Sequence, residues 1–274
     1  MTAVLVFLFG LAVGSFLNVC IYRLPRGESV VAPRSRCPHC QRQIAAYDNI
    51  PLLSYVILRG RCRHCGARIS LLYPLVELVT AALLVAIYLR HGFTPAGVKS
   101  ALLALALVVL IVTDLRERIL PDRVTYPGLG VGLLLALWIP VGDGSAAALA
   151  RALTLTLSPQ ILSLADALLG ALVWAGMLYA VGEIFYRVRQ LEGLGLGDVK
   201  MMAMLGAFFG LKLTLLTLLL GCLLGIAFGG LFMLLTRKSQ RYELPLGSFL
   251  GLAALVTLFW DEALRHWYAS LLAG

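Results

Sequence analysis

Charged side chains are scarce in this chain. Only 14% of its 274 residues are charged, whereas 60% are hydrophobic, and the mean hydropathy is +0.90. A soluble domain of this length carries about 25% charged residues, so the scarcity excludes an ordinary soluble fold. The apolar residues form blocks of about 20, the length of a helix that crosses the hydrocarbon core of a bilayer. We therefore predict an all-α polytopic membrane protein.

Two further features are missing from the sequence. The first apolar block, Val4 to Tyr22, has neither a basic n-region nor an A-x-A cleavage site. We therefore interpret it as a retained membrane span rather than a signal peptide. The chain also lacks a nucleotide-binding fingerprint, so no motif marks a site for a nucleotide-derived cofactor.

Hydropathy predicts about eight membrane spans. They lie near residues 2–22, 73–90, 97–113, 124–141, 161–184, 199–211, 213–236 and 246–268. If the N-terminus is outside, 18 of the 23 Lys and Arg residues fall in four cytoplasmic segments, namely 23–72, 114–123, 185–200 and 237–245. This asymmetry fits the positive-inside rule and predicts an N-terminus outside the cytoplasm. The net charge of +9 is then mainly a feature of the cytoplasmic face, where it can attract anionic lipid head groups or acidic substrates, although topology alone explains it. We expect membrane lipid as a partner and no nucleic acid.

Only residues 23–72 form a segment between spans that is long enough to fold by itself. It contains two C-x-x-C pairs, whose spacing is typical of a tetrahedral zinc site. A domain of about 50 residues buries too little surface to be stable alone, which gives a metal a structural role. We predict three regions: a first helix over 1–22, a cytoplasmic zinc-binding domain over 23–72 and a membrane domain over 73–274. The predicted zinc ligands are Cys37, Cys40, Cys62 and Cys65.

Two alternatives for these cysteines remain open. They could form two disulfides or a redox-active pair, although structural disulfides rarely persist on the reducing side of the membrane. His39 and His64 lie between the cysteines of the two C-x-x-C pairs, and either could replace a thiolate as ligand.

Two carboxylates occupy the predicted cytoplasmic ends of spans. Asp114 ends the third predicted span and Asp198 opens the sixth, so the two can face one another. An acid inside a span costs about 2.5–3.5 kcal/mol at a helix centre, which makes each a functional candidate. Two carboxyl groups that share one proton can activate water and polarise a scissile carbonyl. The alternative is that Asp198 only caps its helix.

The string "GLGLGDVK" (193–200) resembles the G-x-G-D motif of intramembrane aspartic proteases. The wider string "EGLGLGDVKMMAMLGAFFG" resembles the prepilin peptidase family, the type 4 prepilin leader peptidases and N-methyltransferases. The similarity covers almost the whole chain, because four other segments and the cysteine-bearing segment also resemble that family. The four are "GSFLNVCIYRLP" (14–25), "YPLVELVTA" (73–81), "TDLRERILPDRVT" (113–125) and "LPLGSFLGLAAL" (244–255).

The resemblance implies a membrane aspartic endopeptidase of the bacterial inner membrane. It would cut the basic leader of type IV prepilins or type II secretion pseudopilins at the cytoplasmic face, after a glycine. It would then methylate the new N-terminal residue from S-adenosylmethionine. The implied catalytic pair is Asp114 and Asp198, and the same motif makes Gly195, Gly197 and Lys200 candidates for substrate-binding or active-site backbone.

Three other functions stay open at this point. The chain could cleave without methylating, or it could be a non-catalytic membrane adaptor with zinc knuckles. A proton-coupled transporter would use Asp166 and Asp198 as a relay.

Overall fold

A computed structural model describes residues 1–191, 194–236 and 245–273 of the chain. The described residues are mainly helical, and the only β pairing among them is two isolated bridges in the cysteine-bearing segment. Short 3₁₀ turns span Leu24–Arg26 and Ala46–Asn49. The helices are α1 (Thr2–Arg23), α2 (Leu53–Ile57), α3 (Leu72–His91), α4 (Pro95–Glu117), α5 (Asp122–Leu135), α6 (Ser145–Ala152), α7 (Pro159–Arg189), α8 (Leu196–Thr236) and α9 (Leu246–Ala273).

Six of the described helices are long and apolar enough to cross a membrane, which confirms the all-α membrane class. The count of eight spans stays a prediction. The predicted fourth span corresponds to α5, which has only 14 residues. The predicted sixth and seventh spans both lie in α8, whose 41 residues are interrupted at Gly210 (φ 77°, ψ −165°). The predicted cytoplasmic segment 237–245 falls almost entirely outside the described residues.

The chain divides into two compact units, Met1–Val109 and Leu110–Gly274. The boundary falls inside α4 rather than at residue 72, so the first unit contains α1, the cysteine-bearing segment, α3 and most of α4. The predicted zinc-binding domain (23–72) corresponds to the connection between α1 and α3. Whether it folds as a separate domain stays a prediction.

Helices α1 and α3 of the first unit pack closely because α1 presents glycines to its neighbour. A Cβ atom at Gly10 would lie 2.6 Å from the Cα of Ala81, and one at Gly14 would lie 2.6 Å from the Cα of Glu77. Small residues at such positions allow two membrane helices to approach at backbone distance, where van der Waals contact is greatest.

The second unit is organised around the contact between α7 and α8. A Cβ atom at Gly206 would lie 2.3 Å from the carbonyl carbon of Gly170. Beside this contact, the indole N–H of Trp174 donates to the carbonyl oxygen of Leu211 (2.8 Å), just after the interruption of α8. This bond connects α7 directly to the backbone of α8 next to the break.

Two acids of the second unit accept hydrogen bonds from backbone N–H groups, which is a structural role and not that of a proton pathway. The carboxylate of Asp166 accepts the N–H groups of Gly144 (3.0 Å) and Ala146 (2.7 Å) at the start of α6. The carboxylate of Asp143 accepts the N–H of Lys212 (2.7 Å) after the interruption of α8. Asp166 therefore has a structural function, which removes the reason for considering it part of a transporter relay.

We expect Gly206→Ala to destabilise the second unit, because the added methyl group meets the backbone of Gly170 and neither helix can yield without a shift. Overpacking of this kind costs about 1–3 kcal/mol. The matched control is Gly176→Ala on α7, where a Cβ atom meets nothing within 4 Å. Thermal unfolding in detergent should show a lower midpoint for Gly206→Ala only. Equal midpoints for the two variants would contradict the tight contact.

Candidate active site and metal centre

Asp114 lies in the last turn of α4 and is almost completely buried, with 6% of its surface exposed. Its Oδ2 atom accepts two short hydrogen bonds from the first turn of α9. The backbone N–H of Ser248 donates at 2.5 Å and the Ser248 hydroxyl donates at 2.6 Å. Among the described residues no donor reaches Oδ1 of Asp114. Both bonds thus fix one carboxylate oxygen, and the other accepts no hydrogen bond from the described residues.

Asp198 occupies the first turn of α8 and is half-buried. Its carboxylate is close enough to that of Asp114 for the two to repel each other electrostatically. The helix begins at Leu196, and the backbone N–H of Asp198 donates to the carbonyl oxygen of Gly195 (3.1 Å). Asp198 is therefore the third residue of the helix and does not occupy the capping position. The structure brings together the two acids that the sequence singled out.

Two glycines leave room for one buried leucine beside this pair. A Cβ atom at Gly197 would lie 3.1 Å from the Cβ of Leu120. A Cβ atom at Gly247 would lie 2.9 Å from the Cδ1 of Leu120 and 3.2 Å from the carboxyl carbon of Asp114. Gly197 therefore makes space for the protein's own packing. At Gly195 the nearest atom to an added Cβ is Oδ2 of Asp198, at 3.6 Å, so the space around this exposed residue is open.

Lys200, the remaining candidate from the G-x-G-D string, pairs with a third acid. Its ammonium group binds both carboxylate oxygens of Asp122 (2.7 and 2.9 Å) and lies 5.2 Å from the ring centre of Tyr126. This pair joins the start of α8 to the start of α5. A direct role of Lys200 toward substrate stays a prediction.

The four predicted zinc ligands come together in the first unit. The Sγ atoms of Cys37, Cys40, Cys62 and Cys65 all lie within 4.8 Å of one another. Each C-x-x-C pair forms a tight turn. In the first turn the N–H of Gln41 donates to the carbonyl of Cys37, and in the second the N–H of Gly66 donates to that of Cys62 (both 2.9 Å).

The sulfur geometry fits a metal and does not fit disulfides. The Sγ atoms of Cys37 and Cys65 are 3.8 Å apart, whereas disulfide sulfurs lie about 2.05 Å apart. Zinc–sulfur bonds of about 2.3 Å in a tetrahedron place the sulfurs about 3.8 Å apart. The backbone N–H groups of Cys65 and His64 lower the pKa of the Cys62 thiol to about 7. The backbone N–H of Ala67 acts in the same direction on Cys65, but burial and the neighbouring thiols outweigh it and raise the pKa of the Cys65 thiol to about 11.

Ser248 is the residue of this site that sequence reasoning missed. It is separated from Asp114 by 134 positions, so no local spacing connects the two. It lies in the string "LPLGSF", whose resemblance to a family segment does not by itself predict a function for the serine.

Comparisons with known proteins also divide the chain into an N-terminal and a C-terminal part. Residues 8–91 match the family described as the bacterial peptidase A24 N-terminal domain. Residues 101–230 match the type IV leader peptidase family, and this stretch contains both aspartates.

Three curated relatives are similar over nearly the whole chain, and each is called a prepilin leader peptidase/N-methyltransferase. The relative from Aeromonas hydrophila is 37% identical over 96% of this chain and 92% of its own length. The relative from Myxococcus xanthus is 40% identical over 94% of this chain and 72% of its own length. The relative from Pseudomonas aeruginosa is 34% identical over 95% of this chain and 91% of its own length. No solved structure matches the chain significantly.

We predict that replacing Cys37 and Cys62 together by serine releases one zinc ion per chain and loosens residues 23–72. The reason is that metal binding and folding of so small a domain are thermodynamically linked. Elemental analysis and limited proteolysis measure the two effects. Cys222→Ser is the matched control, because this exposed cysteine lies in α8, outside the cluster. Freshly purified wild-type protein without zinc would overturn the prediction.

Proposed function

Since the chain belongs to the type IV leader peptidase family, we propose that it is an aspartic endopeptidase that removes the basic leader of prepilins or pseudopilins and then N-methylates the new N-terminus. The observation that carries the proposal is the convergence of Asp114 and Asp198 in one unit, within the residues that match this family. Cleavage after a glycine follows from the family resemblance.

In the proposed peptidase reaction the two carboxyl groups share one proton. The ionised carboxylate removes a proton from water, and the water oxygen bonds to the scissile carbonyl carbon. The protonated carboxyl donates a hydrogen bond to the carbonyl oxygen, which carries the developing negative charge. The C–N bond then breaks, and the leaving amine takes up a proton. We assign the catalytic roles to Asp114 and Asp198 and propose Ser248 as the residue that positions Asp114.

The proposed methylation requires S-adenosylmethionine, which supplies a methyl group from its sulfonium centre to the free amine. The relatives' name includes an N-methyltransferase, which supports this activity in the present chain. We propose that Cys37, Cys40, Cys62 and Cys65 hold a structural zinc ion, because all four ligand positions of a tetrahedron are then thiolates.

The chain is a multi-pass membrane protein, and its family indicates the bacterial inner membrane. We propose a periplasmic N-terminus, with the cysteine-bearing segment and both aspartates at the cytoplasmic face. Prepilins carry their own apolar helix, so their leader would reach the aspartates at that face. The proposed partners of this chain are thus prepilin or pseudopilin substrates and the surrounding lipid.

We expect Asp114→Asn and Asp198→Asn each to abolish prepilin cleavage while zinc content and thermal stability stay near those of the wild type. An asparagine can neither accept nor release the shared proton, so the loss should exceed 1,000-fold (about 4 kcal/mol of transition-state stabilisation). Mass spectrometry of a prepilin incubated with purified protein measures the product. The control is Glu183→Gln, which removes an exposed acid paired with Arg187 on α7. Substantial cleavage by either asparagine variant would refute the proposed mechanism.

We expect Ser248→Ala to lower kcat for cleavage about 10- to 100-fold with little change in KM. The variant keeps the backbone N–H at Asp114 but loses the hydroxyl, and a hydrogen bond to a charged group contributes about 1.5–3 kcal/mol. Ser163→Ala is the matched control, because its buried hydroxyl accepts the backbone N–H of Val141 (3.1 Å), away from the aspartates. If both variants lose activity in proportion to lost stability, Ser248 is only structural.

A further inference from the structure

A cavity of about 660 Å³ lies within the first unit, and the peptidase reaction does not use it. Its walls come from the second half of α1, the beginning of α3 and the cysteine-bearing segment. Small-molecule sites have volumes of about 300–1,000 Å³. Every residue that lines the cavity precedes residue 78, whereas the match to the leader peptidase family begins at residue 101.

A buried carboxylate without a cationic partner faces this cavity. Glu77 is 8% exposed and accepts the backbone N–H of Leu52 (2.8 Å). Among the described residues no cationic side chain pairs with it. The buried cation that lines the same cavity, Arg23, donates instead to the carbonyl oxygens of Ser29 (2.8 Å) and Pro33 (2.7 Å). A buried charge is costly unless it is paired, so a ligand that brings a positive charge would be bound favourably at Glu77.

The remaining wall of the cavity suits a planar, partly apolar group. Tyr22 and Tyr55 both line it, and aromatic rings stack on flat heterocycles and attract cations. The guanidinium of Arg26 covers one face of the Tyr22 ring at 4.2 Å, which leaves the other face and the Tyr55 ring for such a contact. The cavity therefore combines a buried carboxylate without a cationic partner, a buried guanidinium and two tyrosine rings. Further acidic and basic side chains also line it, namely Glu28, Asp48, Arg36, Arg42 and Arg63. A small zwitterion with a purine and an extra positive charge suits this mixed lining.

We propose that this cavity is the binding site of the methyl donor, S-adenosylmethionine, with Glu77 facing its positive charge. The inference rests on the proposed function, because the N-methyltransferase activity is what requires a donor. It assigns peptide cleavage and donor binding to different units of the chain. Glu77 belongs to "YPLVELVTA" and Tyr22 to "GSFLNVCIYRLP", two family-like segments for which the peptidase reaction has no use.

The test measures donor binding directly, with the full-length protein in lipid nanodiscs and S-adenosylmethionine as the titrant in calorimetry. Glu77→Gln should weaken binding at least tenfold. Glutamine retains an oxygen that can accept the Leu52 N–H, so the change removes mainly the charge. Glu183→Gln, an exposed acid of the second unit, should bind within twofold of the wild type. Zinc content and thermal unfolding show whether each variant is folded.

A second measurement needs no variant. A photoreactive azidoadenosyl analogue of the donor should label wild-type peptides from residues 15–77. Labelling within residues 110–273, or wild-type affinity in folded Glu77→Gln, would overturn the inference. One further outcome would overturn it. If the protein shows no saturable binding of S-adenosylmethionine and a synthetic basic leader peptide displaces the analogue, the cavity binds the leader and not the donor.

A cleavage assay on the same preparation separates this inference from the proposed function. Protein that cleaves prepilin but binds no donor in the cavity contradicts the inference alone. Protein that binds the donor at residues 15–77 but leaves prepilin intact contradicts the peptidase proposal and supports the cavity assignment.

Discussion

The amide groups at the beginning of a helix have no partner within that helix, and in an apolar environment no water replaces the missing partner. In this chain four buried acids meet that need from distant segments. Each carboxylate accepts a backbone N–H at or next to the beginning of another helix or half-helix. The four contacts are Glu77 with Leu52, Asp166 with Gly144 and Ala146, Asp143 with Lys212, and Asp114 with Ser248. These contacts also offset the cost of burying the acids, because hydrogen-bond donors stabilise them.

The same type of contact has different consequences at different positions. At Asp166 both carboxylate oxygens are used by backbone, so the residue is committed to structure. At Asp114 both donors converge on Oδ2, and no described residue donates to Oδ1. At Glu77 one oxygen faces Leu52 at the wall of a cavity. Asp166 and Asp114 each accept two donors, so what distinguishes them is how the donors are divided between the two carboxylate oxygens and not how many there are.

Local patterns predicted the features that depend on local sequence. Hydropathy located the long helices, and the two C-x-x-C pairs predicted the cysteine cluster, because four thiols on two tight turns already determine most of its geometry. The two aspartates were predicted from their position at helix ends.

Long-range pairings could not be predicted in this way. Ser248 reaches Asp114 across 134 positions and Lys200 reaches Asp122 across 78, and no periodicity records either pairing. The predicted boundary between the sixth and seventh spans, at residue 212, lies close to the interruption at Gly210, although a glycine within an apolar run does not by itself predict a bend.

The interruption of α8 changes how one buried acid is understood. Residues 196–209 form a half-helix that ends at Gly210 and advances about 21 Å, at about 1.5 Å per residue. The hydrocarbon core is about 30 Å thick, so this half-helix alone does not cross it, and a span formed by Leu196–Gly229 carries the break at membrane depth. Lipid offers no hydrogen bond to backbone N–H groups there, and the carboxylate of Asp143 supplies one to Lys212. An acid at that depth is thus explained by the broken helix that it serves, without any catalytic or transport role.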